Sequence, residues 1–154
     1  MRSFLPLFLL AGAAALPAQN IVSPAHFNNA EGNTYMAEPF GTTTSPYRYL
    51  QVHDDLQGKA GTIKGMRLRR DGSITSSWSS FQVFADVWLS TAATSAKAMS
   101  SAFDSNHGAD KTKVLNFAQG LFPASVHATP TEPWDYQIPF ATPFNFGGTG
   151  PLCW

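Results

Sequence analysis

Hydrophobic and polar positions alternate with period 2 in several short stretches of the chain, the pattern of strands with two unlike faces. Tyr47, Tyr49, Gln51 and His53 share one face of a segment whose other face carries Arg48, Leu50 and Val52. Between Thr62 and Arg70, Met66 and Leu68 oppose Arg67 and Arg69, and Asp71-Gly72 follows at once, a dipeptide that predicts a tight hairpin turn. The clearest strand runs from Phe81 to Ser90. There Phe81, Val83, Ala85, Val87 and Leu89 form an unbroken apolar face, and Gln82, Phe84, Asp86 and Trp88 form the other. Lys113 to Ala118 predicts a further strand, as do Trp134, Tyr136, Ile138 and Phe140 alternating around Asp135 and Gln137. Phe144 and Phe146 lead into the turn Gly147-Gly148-Thr149-Gly150-Pro151, after which Leu152-Cys153-Trp154 reads as the start of a last strand.

One stretch departs from period 2. Ala96, Met99, Ala102 and Phe103 fall at helical spacing with Thr94 or Ser95 as N-cap, which predicts a short helix near 95–103. Residues 20–46 are an irregular leader, and Asp104 to Asp110 and Gly120 to Pro133 read as loops. Short alternating strands separated by Gly, Pro and Asn turns predict an all-β fold, a jelly-roll-like β-sandwich. The 11 prolines suit strand ends and loops better than helices.

Composition narrows the class. A chain of 154 residues is a one-domain length with enough surface to bury a core. Ten basic and ten acidic residues balance to zero net charge, which disfavours a generally basic nucleic-acid binder. With one Cys, neither a disulfide framework nor a Cys-based zinc site forms within the chain. Arg2, the apolar run Phe4 to Ala15 and the small residues that follow predict a secretory signal peptide over residues 1–18. About 12 apolar residues are too few to span a membrane core of ~30 Å, so no span is expected after the signal is removed. The expected product is one β-sandwich domain, 19–154, in an extracellular or periplasmic location. Its C-terminal Cys-Trp suggests truncation, with a partner for Cys153 beyond the end or else a Cys buried as a small hydrophobe.

The stretch Ile138-Pro-Phe-Ala-Thr-Pro-Phe-Asn-Phe-Gly-Gly followed by Pro151-Leu152 resembles a segment of secreted bacterial β-sandwich surface and accessory modules, in which a TPF-x-Y/F-x-G hairpin precedes a final hydrophobic strand. Met99-Ser100, Phe103, Asn106 and Gly108-Ala109-Asp110 are also similar to such modules, over residues 26 to 154. The resemblance implies a secreted accessory domain and carries no functional residues with it.

Candidate chemistry is sparse. No Gly-x-Ser-x-Gly elbow occurs, and His26, His53, His107 and His127 stand in no catalytic pattern. Asp54 and Asp55 are adjacent, so on a strand they point to opposite faces and make a poor glycosidase pair. Asp104, Asn106 and Asp110 place oxygen ligands around Gly108, a partial calcium loop that lacks the bidentate Glu of an EF-hand, with Glu31 a weaker addition. Lys59, Lys64, Arg67, Arg69 and Arg70 gather half of the basic residues into 12 positions, an anion-binding patch or a charged strand guarded against edge pairing. The sharpest feature is aromatic. Phe84, Asp86 and Trp88 on one strand and Tyr47 and Tyr49 on another would together make a ring platform with hydrogen-bonding groups, a surface suited to sugars. The alternative buries both faces. The reading is therefore a secreted non-catalytic module that binds carbohydrate or extracellular matrix through an aromatic strand face. A purely structural adhesin-type domain and an extracellular hydrolase with a site in its loops are the alternatives.

Overall fold

A computed structural model describes residues 19–32, 46–126 and 131–154. The expected signal peptide, residues 33–45 of the irregular leader and His127 lie outside the described residues. The architecture is antiparallel β throughout. The strands are β1 (Val52–His53), β2 (Gly61–Leu68), β3 (Phe81–Thr91), β4 (Thr112–Phe122), β5 (Tyr136–Phe146) and β6 (Leu152–Cys153). One sheet has the order β1-β6-β3-β4, and β2 and β5 pair as a second. Among the described residues no helix is long and apolar enough to cross a membrane.

The β-branched and aromatic residues of β3 suit a half-buried pleated surface. Its apolar face turns Val87 and Leu89 into the core, where Val114, Leu115 and Phe122 of β4 meet Tyr136, Ile138, Phe144 and Phe146 of β5. Ile63, Met66 and Leu68 of β2 close the side of this cluster. Leu152 and Cys153 form a short staple: Cys153 lies between Val52 and Ser90 in the ladder, and Leu152 between His53 and Thr91.

Three expectations are corrected. The short helix near 95–103 is replaced by 3-10 turns at Ala96–Ala98 and Phe103–Asn106. The buried Asn106 carboxamide accepts the Ser100 N–H at 2.8 Å and donates to the carbonyls of Ser100, Ala102 and Phe103. Asp54 accepts the Ala96 N–H at 3.0 Å. Side chains that take up backbone groups compete with a helical ladder, and Ala96, Met99 and Ala102 are exposed, so a helix here would bury no apolar face.

Asp71-Gly72 does make a turn, in which Asp71 O accepts the Ile74 N–H and its carboxylate accepts the Ser73 N–H. It does not join a hairpin, because β2 pairs with β5. Arg70, directly before the turn, is buried, and its guanidinium donates to Ile74 O, Ser76 O and Ser125 Oγ beneath Trp78. That buried anchor turns the chain away from β2 before β3 begins.

The Thr-Pro-Phe-Asn-Phe-Gly run is likewise not one arm of a hairpin. It is the end of β5, and the glycine turn carries the chain across to β6 in the other sheet. Gly148 allows the crossing: it has φ +68°, and a Cβ there would stand 2.9 Å from Ala60 N. Earlier in β5, Pro139 lies opposite Gly65 at a register shift, where a Cβ on Gly65 would come within 2.9 Å of Ile138 O.

Candidate binding face

The polar face of β3 points outward, and β4 extends it. Phe84 is 54% exposed, and Asp86 stands beside it. On β4 the register slips between Ala85 and Val87 and again between Val87 and Trp88, so extra residues are accommodated on that strand. Phe117 occupies the first irregularity with φ +39°. Left-handed backbone is unfavourable for a bulky side chain and costs roughly 1–3 kcal/mol. The Asp86 carboxylate holds it there, accepting the Phe117 N–H at 2.6 Å.

The result is a ring pair facing solvent. Phe117, 69% exposed, stacks on Phe84 with centroids 5.6 Å apart and planes 28° apart. Leu121, 66% exposed, sits opposite Gln82 and prolongs the apolar surface on the same face. Lys113 forms an ion pair with Asp86 at 3.3 Å, donates to Asn116 Oδ1 at 3.1 Å and lies 4.5 Å from the centre of the Trp88 ring. Lys111 approaches the same ring at 5.7 Å. Rings, a carboxylate, an amide and an ammonium therefore meet on one side of a two-stranded ladder.

The expected platform is divided by the fold. Phe84, Asp86 and Trp88 share the outward face. Tyr49 packs against Trp154, 5.4 Å between centroids, and accepts a hydrogen bond from Gln51. Trp154 itself packs on the core cluster. Because Val52, Cys153 and Ser90 are neighbours across the ladder, Gln51 and Trp154 alternate to the face opposite Ser90 and Trp88. Tyr49 thus lies on the other side of the sheet from Trp88, and Tyr47 is exposed beyond the β1 edge. Phe117 and Leu121 are the members that sequence reasoning missed, since the slips in β4 break the alternation that would have marked them.

Each calcium-loop side chain is engaged by another partner. Asp104 bonds Lys111 at 2.6 Å and Arg48 at 3.2 Å, and these two cations hold its carboxyl below the usual range. Asn106 is spent on its own loop, and Asp110 accepts from the Thr91 N–H and Oγ1–H. Glu31 accepts the backbone N–H groups of Gly72 and Glu132. Among the described residues no group of three or more His, Cys, Asp or Glu is placed to hold a metal.

The basic cluster also separates. Lys59, Lys64 and Arg67 are exposed. Arg69 donates to Phe27 O and Ala30 O and stacks 4.7 Å from the Trp134 ring. Arg70 is buried, 3.6 Å from Glu132.

Two histidine clusters assemble that no local pattern marked. Ser23 Oγ lies 2.6 Å from His53 Nδ1 and donates to Asp55 at 2.6 Å, while the Trp154 indole N–H donates to His53 Nε2 at 3.0 Å. The indole donor leaves Nε2 without a proton, so neutral His53 carries it on Nδ1 and donates to Ser23. A serine placed this way donates its hydrogen bond to Asp55 and accepts one from the imidazole, the reverse of what a nucleophile activated by histidine requires. In the second cluster Ser90 Oγ is 2.8 Å from His107 Nδ1, with Cys153 Sγ 4.0 Å from Nε2. Cys153 is fully buried, which pushes its thiol up to about 11, the opposite of a reactive thiolate.

No family model, curated protein or solved structure matches the chain.

Proposed function

We propose that this protein is a secreted, non-catalytic extracellular module, a jelly-roll-like β-sandwich, that binds a polysaccharide across the outer face of β3 and β4. The observation that carries this reading is the solvent-facing Phe84–Phe117 stack, held by a strained Phe117 backbone beside Asp86, Lys113 and Trp88. Strained backbone persists where surrounding contacts enforce it and is concentrated at functional positions. Apolar rings offer the C–H faces of sugars a surface, and the flanking carboxylate and ammonium offer hydrogen bonds to hydroxyls. The leader pattern of residues 1–18 supports export. With about 1 kcal/mol for each stacked ring and each hydrogen bond, affinity falls on the order of millimolar to micromolar.

The half-burial of Trp88 under two lysines favours a second reading, a structural surface domain in which Trp88 serves packing alone. A polysaccharide pull-down with Trp88→Ala and Phe117→Ala separates the two. The binding reading expects both variants to lose retention while their thermal transitions hold. Wild-type protein that is retained by no polysaccharide, together with a Trp88→Ala loss of the roughly 3–5 kcal/mol typical of a core aromatic, overturns it.

A further inference from the structure

We propose that Ser23, His53 and Trp154 form an acid-sensitive latch that fastens the 19–28 segment and the Gln51–Trp154 end of the β1–β6 edge at neutral pH and releases them on acidification. The three residues come from distant parts of the chain, and one imidazole joins them: Nδ1 faces Ser23 Oγ and Nε2 faces the Trp154 indole. Each bond in the chain has a fixed direction. The indole donates to Nε2, Nδ1–H donates to Ser23, and Ser23 donates to Asp55. A proton added to His53 has only Nε2 to occupy. There it meets the indole N–H, and two donors face each other 3.0 Å apart with no acceptor between them.

What the latch holds is limited in extent. Gln51 and Trp154 exchange two backbone hydrogen bonds of 2.9 and 3.0 Å, and β1 and β6 are two residues each. The 19–28 segment ends in a single 3-10 turn, Ala25–Asn28, with no buried residue in it. A segment with no buried residue opens at low free energy. Val52, Leu152 and Cys153, by contrast, are buried and keep the rest of the β1–β6 ladder closed, so opening there is confined to the terminal Gln51–Trp154 pair. The same segment walls an open groove of about 530 Å³ with Gln19, Val22 and Ala25 on one side and Gly58, Lys59 and Ala60 on the other.

The electrostatic surroundings agree in direction. Burial lowers the His53 pKa from 6.5, and Asp55 opposes that shift more weakly. Asp55, on the turn after β1, is the charged group that acts on the imidazole, whereas the 19–28 segment brings Ser23 and β6 leads to the Trp154 indole, both neutral. Neutral His53 is thus favoured in the closed form, and the latch weakens as pH falls below 6.5. It works whether or not a glycan occupies the β3–β4 face.

Amide hydrogen exchange on the full chain tests this, compared between about pH 8 and about pH 5 after correction for intrinsic exchange. The opening constants of the Gln51 and Trp154 amides are expected to rise about tenfold at the lower pH, the loss of roughly one net hydrogen bond. The rise should vanish in His53→Gln, whose amide oxygen still accepts from the indole, and persist in His107→Gln. Unchanged opening constants in the wild type, or an equal rise in His53→Gln, overturn the proposal. Should His53→Gln not fold, the imidazole ¹⁵N shifts of the wild type decide: a neutral-pH proton on Nδ1 supports the latch, and one on Nε2 overturns it.

Discussion

The Asp86 carboxylate accepts the backbone N–H of Phe117 at 2.6 Å across the β3–β4 ladder, and through that bond a polar residue on one strand sets the backbone of an aromatic on the next. The bond keeps Phe117 left-handed and its ring in solvent, where it meets Phe84. Stability alone does not explain the arrangement, since a residue that tolerates positive φ would relieve the backbone and expose less apolar surface.

Phe117→Asn tests that trade. Asn tolerates the left-handed region better, while the lost ring stack was worth about 0.5–1.5 kcal/mol. The two effects offset, and denaturant unfolding should shift by no more than about 1 kcal/mol. Polysaccharide retention should fall about tenfold, the equivalent of about 1.4 kcal/mol of lost contact. A variant that unfolds readily would assign the ring to packing instead.

The Arg70–Glu132 pair should behave as a buried ion pair, because both side chains are almost wholly inaccessible and 3.6 Å apart. Removing one charge leaves the other buried, so Arg70→Met or Glu132→Leu alone should cost about 3–5 kcal/mol. The double variant should cost clearly less than the sum of the singles. Urea unfolding of all four proteins gives the coupling energy, and strict additivity would count against the pair.

Both His53 and His107 have pKa values lowered from 6.5. Burial is the main cause at each, and at His107 Lys111 adds to it while Asp104 and Asp110 oppose it. The unfolded chain then binds protons more readily than the folded one. The contribution of the neutral rings is complete above 6.5 and is lost as pH falls toward the folded values. Thermal midpoints should therefore decline on acidification from about pH 7.5 to about pH 5, and the decline should be shallower in His107→Gln. A midpoint flat across that interval would contradict the shifts.

Cys153 should resist alkylation until the chain unfolds. Its thiol is displaced from 9.0 to about 11, which at a given pH leaves about a hundredfold less thiolate, and full burial blocks the reagent as well. Iodoacetamide labelling at about pH 8 should be slow in buffer and fast in urea. Equal rates would place the sulfur at the surface.

Much of the strand inventory was legible in the sequence, because alternation is local. The apolar face of Phe81 to Leu89 and the run through Tyr136 and Ile138 appear where period 2 puts them, while the strand after Lys113 runs past the expected Ala118 to Phe122, into a stretch that reads as loop. The strand from Tyr47 shortens to Val52–His53, which pair with β6, and Gln51 continues the ladder in one further pair with Trp154. The outward setting of Phe84, Asp86 and Trp88 also follows from counting along one strand.

Pairing was decided by tertiary structure. Asp71-Gly72 signals a turn, but β2 pairs with β5 because buried Arg70 needs Ser125 and Glu132, both more than 50 positions away. The helical spacing at Ala96 to Phe103 carries no information about the Asn106 carboxamide that unpicks it. Phe117 reads as one more strand residue until two register slips in β4 shift its phase and the Asp86 carboxylate captures its N–H. Tyr49 and Trp88 fall on opposite faces for a related reason: alternation assigns faces within a strand, and only the ladder through Cys153 relates one strand's faces to the next. The sequence by itself determined which segments are strands and which of their residues share a side, because those are nearest-neighbour properties of an extended chain. The fold decided which strands meet, which polar groups are consumed in meeting, and which aromatic rings are left in solvent, because those depend on contacts between residues far apart in the chain.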